Sequence, residues 1–237
     1  MTEPVRVWLG RAPARPDPAD LAVLDADERR RAERCAEPAA AGHYVAARAG
    51  VRRAMAAALG TEPGALRWGR RSCPGCGSAA HGPPRLTRPD RADLGVSVSR
   101  SGPWWLLAVA SGGPVGVDIE TSDGTGVGAA VLRRCFSEAE RAALTGLSPT
   151  DHAALALRGW VRKEAVAKAW GLGTAAELRA VEVLAGRWPA GARHGTVPGP
   201  GGEPWSVADL PLSPGLAGAL AQPARSAGPV DLVRADR

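Results

Sequence analysis

The sequence predicts an α+β fold made of two domain-sized parts. The chain has 237 residues, and at about 150 residues per domain this length suits one to two domains, each large enough to bury a core. Some segments alternate apolar and polar residues with period two, as β-strands do, and others repeat apolar residues at helical spacing. Together these observations favour a mixed fold over an all-helical or an all-strand fold.

Composition excludes several classes of protein. Hydrophobic residues make up 45% and charged residues 23%, which is typical of soluble globular chains and argues against disorder and fibrous repeats. No apolar run approaches the roughly 20 residues of a membrane helix, and we expect neither a signal peptide nor a membrane partner. The four cysteines include one Cys-x-x-Cys pair, so we predict a cytoplasmic protein with reduced thiols rather than a disulfide framework.

The first half predicts strands that flank helices. Residues 5–9 and 96–99 alternate as strands, and residues 104–110 form a longer apolar strand. Apolar spacing predicts helices over residues 20–34 and 42–59, the second ended by Gly60. Residues 71–91 are rich in turn residues and are predicted to be a loop.

The second half begins after a Ser-Gly-Gly-Pro break at residues 111–114, which predicts a boundary between parts 1–112 and 113–237. Ser137 and Glu140 have capping-box spacing and predict a helix to about residue 144. The other expected elements are four strands, a helix, a Gly/Pro-rich loop and a disordered tail. The strands are 115–120, 178–184, 205–210 and 216–221, the helix is 151–170, the loop is 189–204, and the tail follows residue 222 or so.

Two segments carry the chemistry. In the strand 115–120, period two places Asp118 and Glu120 on one face. In the helix 151–170, Trp160, Glu164 and Lys168 are spaced i, i+4, i+8 and project from one side. Three carboxylates brought together would offer hard oxygen ligands for Mg²⁺, which usually keeps open positions for water and substrate phosphates.

Lysine usage supports a function for this helix. Only two of the 30 basic residues are lysines, and both lie within six positions, at Lys163 and Lys168. Because the chain uses arginine at its other basic positions, the two lysines indicate that a compact ammonium group is needed in this helix. An ordinary solvent-exposed Glu/Lys helix pair is the alternative.

Three linked motifs resemble the signature of the 4′-phosphopantetheinyl transferases: Val-Gly-Val-Asp-Ile-Glu at 115–120, Phe-Ser-Glu-Ala-Glu at 136–140, and Trp-Val-Arg-Lys-Glu-Ala-Val-Ala-Lys at 160–168. Upstream, Trp8, His43 with Tyr44, and the stretch 96–102 resemble the N-terminal half of the Sfp-type branch. The resemblance implies a pseudo-dimer of two similar α/β halves, each an antiparallel-type sheet with packed helices. It also implies a monomer that binds coenzyme A between the halves.

The activity that the resemblance implies is transfer of phosphopantetheine from coenzyme A to a serine of an apo acyl or peptidyl carrier protein. Adenosine 3′,5′-bisphosphate is released, and Mg²⁺ is the expected metal, with Mn²⁺ as a substitute. Asp118, Glu120 and Glu164 would hold the metal, and Lys168 would neutralise a phosphate oxygen. Glu164 is the candidate general base, with a metal-bound water as the rival.

The resemblance also implies a coenzyme A site. Its expected contacts, in both halves of the chain, are His43, Arg48, Arg52, Ser99, Arg100, Asp118 and Lys168. The alternative for Arg48 and Arg52, which share a helix face, is a solvated surface. Arg100 stands where the family usually has histidine, His43 where it has a basic residue, and Pro83 where it has lysine, so we expect an active enzyme with reduced coenzyme A affinity.

The carrier protein is expected to be acidic, which suits the net charge of +6, and to serve polyketide or nonribosomal peptide synthesis. A nucleic-acid binder is the less favoured interpretation of this charge, because basic residues are scattered and no aromatic platform strand is evident. A Mg²⁺-dependent phosphohydrolase and a coenzyme A-binding paralogue with impaired transfer are the remaining alternatives. Cys73, Cys76 and His81 could supply three zinc ligands, although a plain turn is the simpler interpretation.

Overall fold

The structure is a computed structural model that describes residues 3–122, 126–173, 177–185, 188–189 and 191–235. The helices are α1 Pro18–Val23, α2 Ala26–Glu33, α3 Pro38–Leu59, α4 Ala129–Cys135, α5 Glu138–Ala143 and α6 Pro149–Trp170. The strands are β1 Val5–Arg11, β2 Arg67–Arg70, β3 Pro84–Arg88, β4 Leu94–Ser101, β5 Trp104–Ser111, β6 Gly116–Thr121, β7 His194–Pro198, β8 Pro204–Asp209, β9 Leu216–Pro223 and β10 Val230–Arg234.

The first sheet has the strand order β10-β1-β5-β4. Its β1, β5 and β4 strands are antiparallel neighbours, and β10 adds to the outer edge of β1 in parallel. The long helix α3 packs on this sheet, and Val51 and Met55 are buried with Trp105 and Leu107 in the core between them. The apolar residues of β1 and β5 that face α3 therefore form the sheet side of a sheet-and-helix layer pair.

The second sheet has the order β6-β9-β8-β7, with every neighbouring pair antiparallel. Helix α6 packs against β6, β9 and β8. The approach to β6 is close, since a Cβ built on Gly116 would lie 1.9 Å from the Ala165 carbonyl oxygen. The missing side chain at Gly116 therefore lets the helix that carries Glu164 and Lys168 lie directly over the strand that carries Asp118.

The two sheets meet along β4 and β6 through side chains. The hydroxyls of Ser97, Ser99 and Ser101 accept hydrogen bonds from three backbone N–H groups of β6, those of Val117 (3.1 Å), Ile119 (3.4 Å) and Thr121 (3.1 Å). Behind this seam, apolar residues of both sheets share a core that includes Val7, Leu106, Ile119 and Leu220. The serine seam therefore ties the strand before the break at 111–114 to the strand after it.

A two-stranded hairpin, β2 and β3, extends from the first sheet. Its connecting segment contains Cys73, Cys76 and His81. The sequence predicts this region as a loop, and the structure adds the two short strands on either side of it.

Helix ends follow the local sequence signals. Asp17, Asp25 and Ser137 each cap a helix in a reciprocal capping box with an acid three residues later. Gly60 and Gly171 end α3 and α6 in the left-handed conformation, with φ of 62° and 74°. The capping-box helix predicted from Ser137 is confirmed, and the helix predicted over 20–34 is divided into α1 and α2 at the Asp25 cap.

Three expectations in the second half are wrong. Residues 178–184 form a short 3-10 helix, Leu178–Ala180, followed by bends instead of a strand. The expected loop 189–204 contains β7, although residue 190 lies outside the described residues. The tail expected to be disordered after residue 222 includes β10, whose Val230 and Leu232 pack against the core shared by the two sheets.

Among the described residues, no helix combines the length and the apolar character that a bilayer-spanning segment requires.

Candidate functional site

The predicted carboxylates converge where β6, α6 and β4 meet. Asp118 and Glu120 project from β6, and Trp160, Glu164 and Lys168 project from α6 into the same cavity of about 380 Å³. The period-two and i, i+4, i+8 spacings therefore predict correctly which side chains share a face, and the packing of α6 on β6 brings the two faces together.

Asp118 is held firmly through one oxygen. Its Oδ1 accepts hydrogen bonds from the Ser99 hydroxyl at 2.6 Å and from Lys168 Nζ at 2.5 Å, and Lys168 also donates to Ser99 Oγ at 2.8 Å. Asp118 is only 3% exposed, and its Oδ2 has no hydrogen-bond partner among the described residues. A buried carboxylate oxygen without a partner is unfavourable unless a ligand satisfies it.

Glu120 is the second carboxylate of the strand. Ser101 donates a hydrogen bond to its Oε2 at 2.6 Å, and the Trp160 side chain also donates to it. Burial raises the pKa of Glu120, and the charge of Asp118 adds to this, while the Ser101 hydrogen bond and Lys168 oppose it. The site therefore holds negative charge that the chain only partly compensates.

Glu164 faces both carboxylates of the strand. Burial is the main cause that raises the pKa of Glu164, the negative charge of Asp118 raises it further, and Lys168 lowers it. Within the described residues it has no hydrogen bond to a protein donor comparable to that of Asp118 or Glu120. A glutamate whose pKa is raised is a stronger base than an ordinary carboxylate.

The donor set fits a hard divalent cation. Three carboxylates line one cavity, the Asp118 Oδ2 atom is buried without a partner, and the single ammonium of Lys168 balances only part of the charge.

A larger cleft of about 560 Å³ opens beside the carboxylates and shares Arg31, Arg100 and Lys168 with their cavity. It runs between the first sheet, the β2–β3 hairpin and the end of α6. Its basic and aromatic lining residues are Arg31, Tyr44, Arg48, Trp68, Arg70, His81, Arg100 and Lys168. Basic groups around a partly apolar wall suit a ligand with phosphates and an organic moiety.

Arg100 is one of the basic residues that line both cavities. Its guanidinium stacks over the Tyr44 ring at 4.9 Å, and burial lowers the pKa of Arg100. Tyr44 is buried, which raises its pKa, and its ring offers an apolar platform for the guanidinium. A guanidinium that stacks on an aromatic ring has a fixed orientation and keeps its N–H groups available for an anion.

The structure separates the other predicted coenzyme A residues. Arg48 lines the cleft, stacked on Trp68 at 5.4 Å and bonded to Glu28. Arg52 is fully buried, and its guanidinium donates to Asp25, Glu28 and two backbone carbonyls, so the structure does not bring it to the cleft. The solvated-surface alternative also fails for both arginines.

His43 likewise lies apart from the cleft. Its Nδ1 is 2.9 Å from the carbonyl oxygen of Ala12, and the residue does not line either cavity. Ser99 borders the carboxylate cavity, but its hydroxyl is engaged with Asp118. His43 therefore stays outside both cavities, whereas Ser99 remains at the edge of one of them.

Several cleft residues were missed by sequence reasoning. Arg31 lines both cavities, Trp68 forms a wall of the larger one, and Ser101 holds Glu120. The alternation of serine at 97, 99 and 101 was a usable signal for the last of these, because it places three hydroxyls on one side of β4. Arg31 and Trp68 had no distinguishing local pattern.

A family model matches the part of the chain that contains the carboxylates. The match spans residues 114–213 and carries the description 4′-phosphopantetheinyl transferase superfamily. Residues 114–213 are therefore similar to a domain of that superfamily.

The matched segment contains Asp118, Glu120, Glu164 and Lys168, while most of the lining of the larger cleft precedes it. No curated protein matches the chain. The family match supports phosphopantetheine transfer in general, a reaction that uses coenzyme A, a carrier protein and commonly a divalent metal.

Proposed function

We propose that the protein transfers the 4′-phosphopantetheine group from coenzyme A to a serine hydroxyl of an apo acyl or peptidyl carrier protein. Adenosine 3′,5′-bisphosphate is the other product. The observation that carries the proposal is the convergence of Asp118, Glu120, Glu164 and Lys168 in one cavity, open to a cleft lined by arginines. Neither cavity alone would suit a large substrate with a pyrophosphate in its middle.

Coenzyme A would bind in the larger cleft. Arg48 and Arg100 are fixed there on the rings of Trp68 and Tyr44, and guanidinium groups bind phosphate oxygens through paired hydrogen bonds. Lys168 lines both cavities and would face the pyrophosphate. Arg100 stands where the family usually has histidine, and its guanidinium therefore still offers a group that can bind phosphate.

The metal would be Mg²⁺, held by Asp118, Glu120 and Glu164. The partnerless Oδ2 of Asp118 and the burial-raised pKa values of Glu120 and Glu164 support a cation at this position. When bound, such an ion supplies charge neutralisation for the pyrophosphate oxygens as the phosphorus–oxygen bond breaks.

The chain's own residues account for the remaining steps. Glu164 would accept the proton of the carrier serine as its Oγ forms a bond to the phosphorus. The bond to adenosine 3′,5′-bisphosphate breaks at the same phosphorus, and Lys168 would stabilise the charge on the departing phosphate. Ser99 contributes by fixing Asp118 and Lys168 relative to one another at 2.6 and 2.8 Å.

The carrier would be an acidic protein of polyketide or nonribosomal peptide synthesis, and the enzyme would act as a monomer of the Sfp-type branch. The net charge of +6 supports an acidic partner through electrostatic attraction. Its contribution is testable by salt, because attraction between exposed charges is screened beyond about 10 Å at 0.1 M salt.

The decisive experiment is intact-protein mass spectrometry of an apo carrier protein incubated with the enzyme, coenzyme A and Mg²⁺. We expect the carrier to gain one phosphopantetheine mass, and we expect EDTA to abolish the gain. Hydrolysis of coenzyme A without modification of several carriers would indicate a phosphohydrolase instead. Coenzyme A binding with neither reaction would indicate an impaired paralogue.

Two substitutions separate chemistry from binding. Glu164→Gln should abolish transfer because the amide cannot accept the serine proton, whereas Arg100→Ala should raise KM for coenzyme A and leave kcat within a few-fold. Arg91→Ala is the matched control, since Arg91 is paired with Asp93 on the surface and lines neither cavity. Normal turnover by the Glu164→Gln variant would refute the role assigned to that carboxylate.

A further inference from the structure

The segment between β2 and β3 contains a compact cluster of soft ligands away from the carboxylates. Cys73 Sγ, Cys76 Sγ and an imidazole nitrogen of His81 all lie within 4.8 Å of one another, and Cys76 Sγ is 3.2 Å from His81 Nε2. Zinc bonds of about 2.0–2.3 Å place tetrahedral ligands roughly 3.5–3.8 Å apart, so small adjustments would seat an ion among these atoms.

The backbone around Cys73 is organised as a tight loop. Gly77 N donates to the Cys73 carbonyl at 2.7 Å, Cys73 N donates to the Ser78 carbonyl at 2.8 Å, and Gly77 has a φ of 74°. These two hydrogen bonds close the turn that contains Cys73 and Cys76.

We propose that Cys73, Cys76 and His81 bind one Zn²⁺ ion, a structural site separate from the carboxylates. Two sulfur ligands and one imidazole are the donors that zinc prefers over Mg²⁺. Within the described residues, no further Cys, His, Asp or Glu ligand atom joins this cluster, so water completes the tetrahedron. The exposure of Cys76 and His81 gives solvent access to that position.

The position of the cluster gives the ion a role. A Cβ built on Gly171 would lie 3.2 Å from Pro74 Cδ and 2.6 Å from Pro83 Cγ, and one built on Gly75 would lie 3.1 Å from Leu172 Cδ2. The segment between β2 and β3 that contains these ligands therefore packs on the C-terminal end of α6, one turn beyond Lys168. His81 and Pro83 also line the larger cleft. Zinc would fix this wall of the cleft against the end of α6.

The test is the metal content of the full-length protein purified under reducing conditions without chelator. We expect about one zinc per chain by mass spectrometry of the elements, and loss of that zinc in Cys76→Ser and His81→Ala. These two residues are exposed, so their variants should fold, unlike variants of the buried Cys73. Cys35→Ser is the matched cysteine control and should retain the ion.

Cobalt provides a second readout that needs no activity. Reduced metal-free protein titrated with Co²⁺ should show thiolate charge-transfer and tetrahedral d–d bands, which Cys76→Ser should weaken and Glu164→Gln should leave unchanged. Protein that is zinc-free as purified and shows no such bands overturns the proposal. Zinc that persists in both ligand variants, or a Cys73–Cys76 disulfide in the reduced preparation, overturns it as well. Because coenzyme A and carrier are absent, these results are independent of the transfer reaction.

Discussion

At the scale of residues, the two lysines of α6 have different environments. Lys168 bonds Asp118 and Ser99 at the edge of both cavities. Lys163 is fully buried, where Nζ pairs with Glu140 Oε2 at 2.7 Å and bonds the carbonyls of Leu178 and Val181. Burial lowers the pKa of Lys163, and the charge of Glu140 raises it. Lys163 therefore forms a buried ion pair with Glu140 that has a structural role. The rarity of lysine in the sequence therefore draws attention to both Lys163 and Lys168, but only Lys168 lies at the candidate site.

Glu164 makes the stability of the metal-free protein dependent on pH. Because its pKa is raised in the folded state, protonation favours folding, and this contribution is lost as pH rises from about 4.5 through the folded-state pKa. Thermal unfolding in EDTA should therefore show Glu164→Gln gaining stability over the wild type as pH rises toward neutrality. Mg²⁺ should reverse the order by stabilising the wild type more.

The control for this titration is Glu33→Gln, which changes an exposed glutamate of α2. Its melting temperature should follow that of the wild type across the same pH range. A Glu164→Gln variant that also follows the wild type, with and without Mg²⁺, would contradict a repulsive carboxylate cluster.

At the scale of elements, the β4–β6 seam combines support and site geometry. The Ser97 hydroxyl accepts a hydrogen bond only from the Val117 N–H in this seam. The Ser99 hydroxyl accepts hydrogen bonds from the Ile119 N–H and from Lys168 Nζ, and it donates one to Asp118. The two hydroxyls are both buried and two residues apart on the same strand. They form a natural pair for separating stability from site assembly.

Ser97→Ala and Ser99→Ala should each reduce the free energy of unfolding by about 1–3 kcal/mol, because each leaves a buried N–H without its acceptor. Only Ser99→Ala should raise the Mg²⁺ concentration needed for half-maximal transfer, since it releases Asp118 and Lys168. Urea unfolding and a Mg²⁺ titration of transfer measure the two effects. Equal metal dependence in both variants would remove Ser99 from the site.

At the scale of the whole molecule, the two sheets are joined by a shared core, by the serine seam and by the end of the chain. β10 returns to the first sheet, where Val230 pairs with Val5 and Leu232 with Val7. The segment that matches the family model is therefore followed by a strand that belongs to the first sheet. The carboxylate cavity also draws on both sheets, since Ser99 and Arg100 lie on β4 and Asp118 and Glu120 on β6.

Deletion of residues 229–237 should destabilise the first sheet, because it exposes the outer edge of β1 and removes apolar contacts to Val5 and Val7. We expect a lower melting temperature, increased aggregation and reduced coenzyme A affinity. Deletion of residues 236–237 alone is the control and should change none of these. Scanning calorimetry and coenzyme A binding measure the outcome, and an unchanged melting temperature of the longer deletion would contradict a structural role for β10.

The local sequence determined the elements whose signals are local. Period two in β6 and the spacing of Trp160, Glu164 and Lys168 fixed which side chains share a face, because these periods follow from backbone geometry. Capping boxes and C-terminal glycines fixed helix ends, because they satisfy backbone groups of the same few residues. The carboxylates and the ammonium of the site were therefore predictable before any tertiary contact was known.

Tertiary structure decided everything that depends on distant partners. Arg48 and Arg52 share a helix face, yet Glu28 and Asp25, more than twenty residues away, draw Arg52 into the interior. The edge strand β10 forms because β1 offers unpaired backbone groups, a condition that the tail's own sequence does not contain. Sequence alone determined the chemistry available to this protein; packing decided which groups face the cleft, because burial and pairing are properties of neighbours that the chain brings together only when folded.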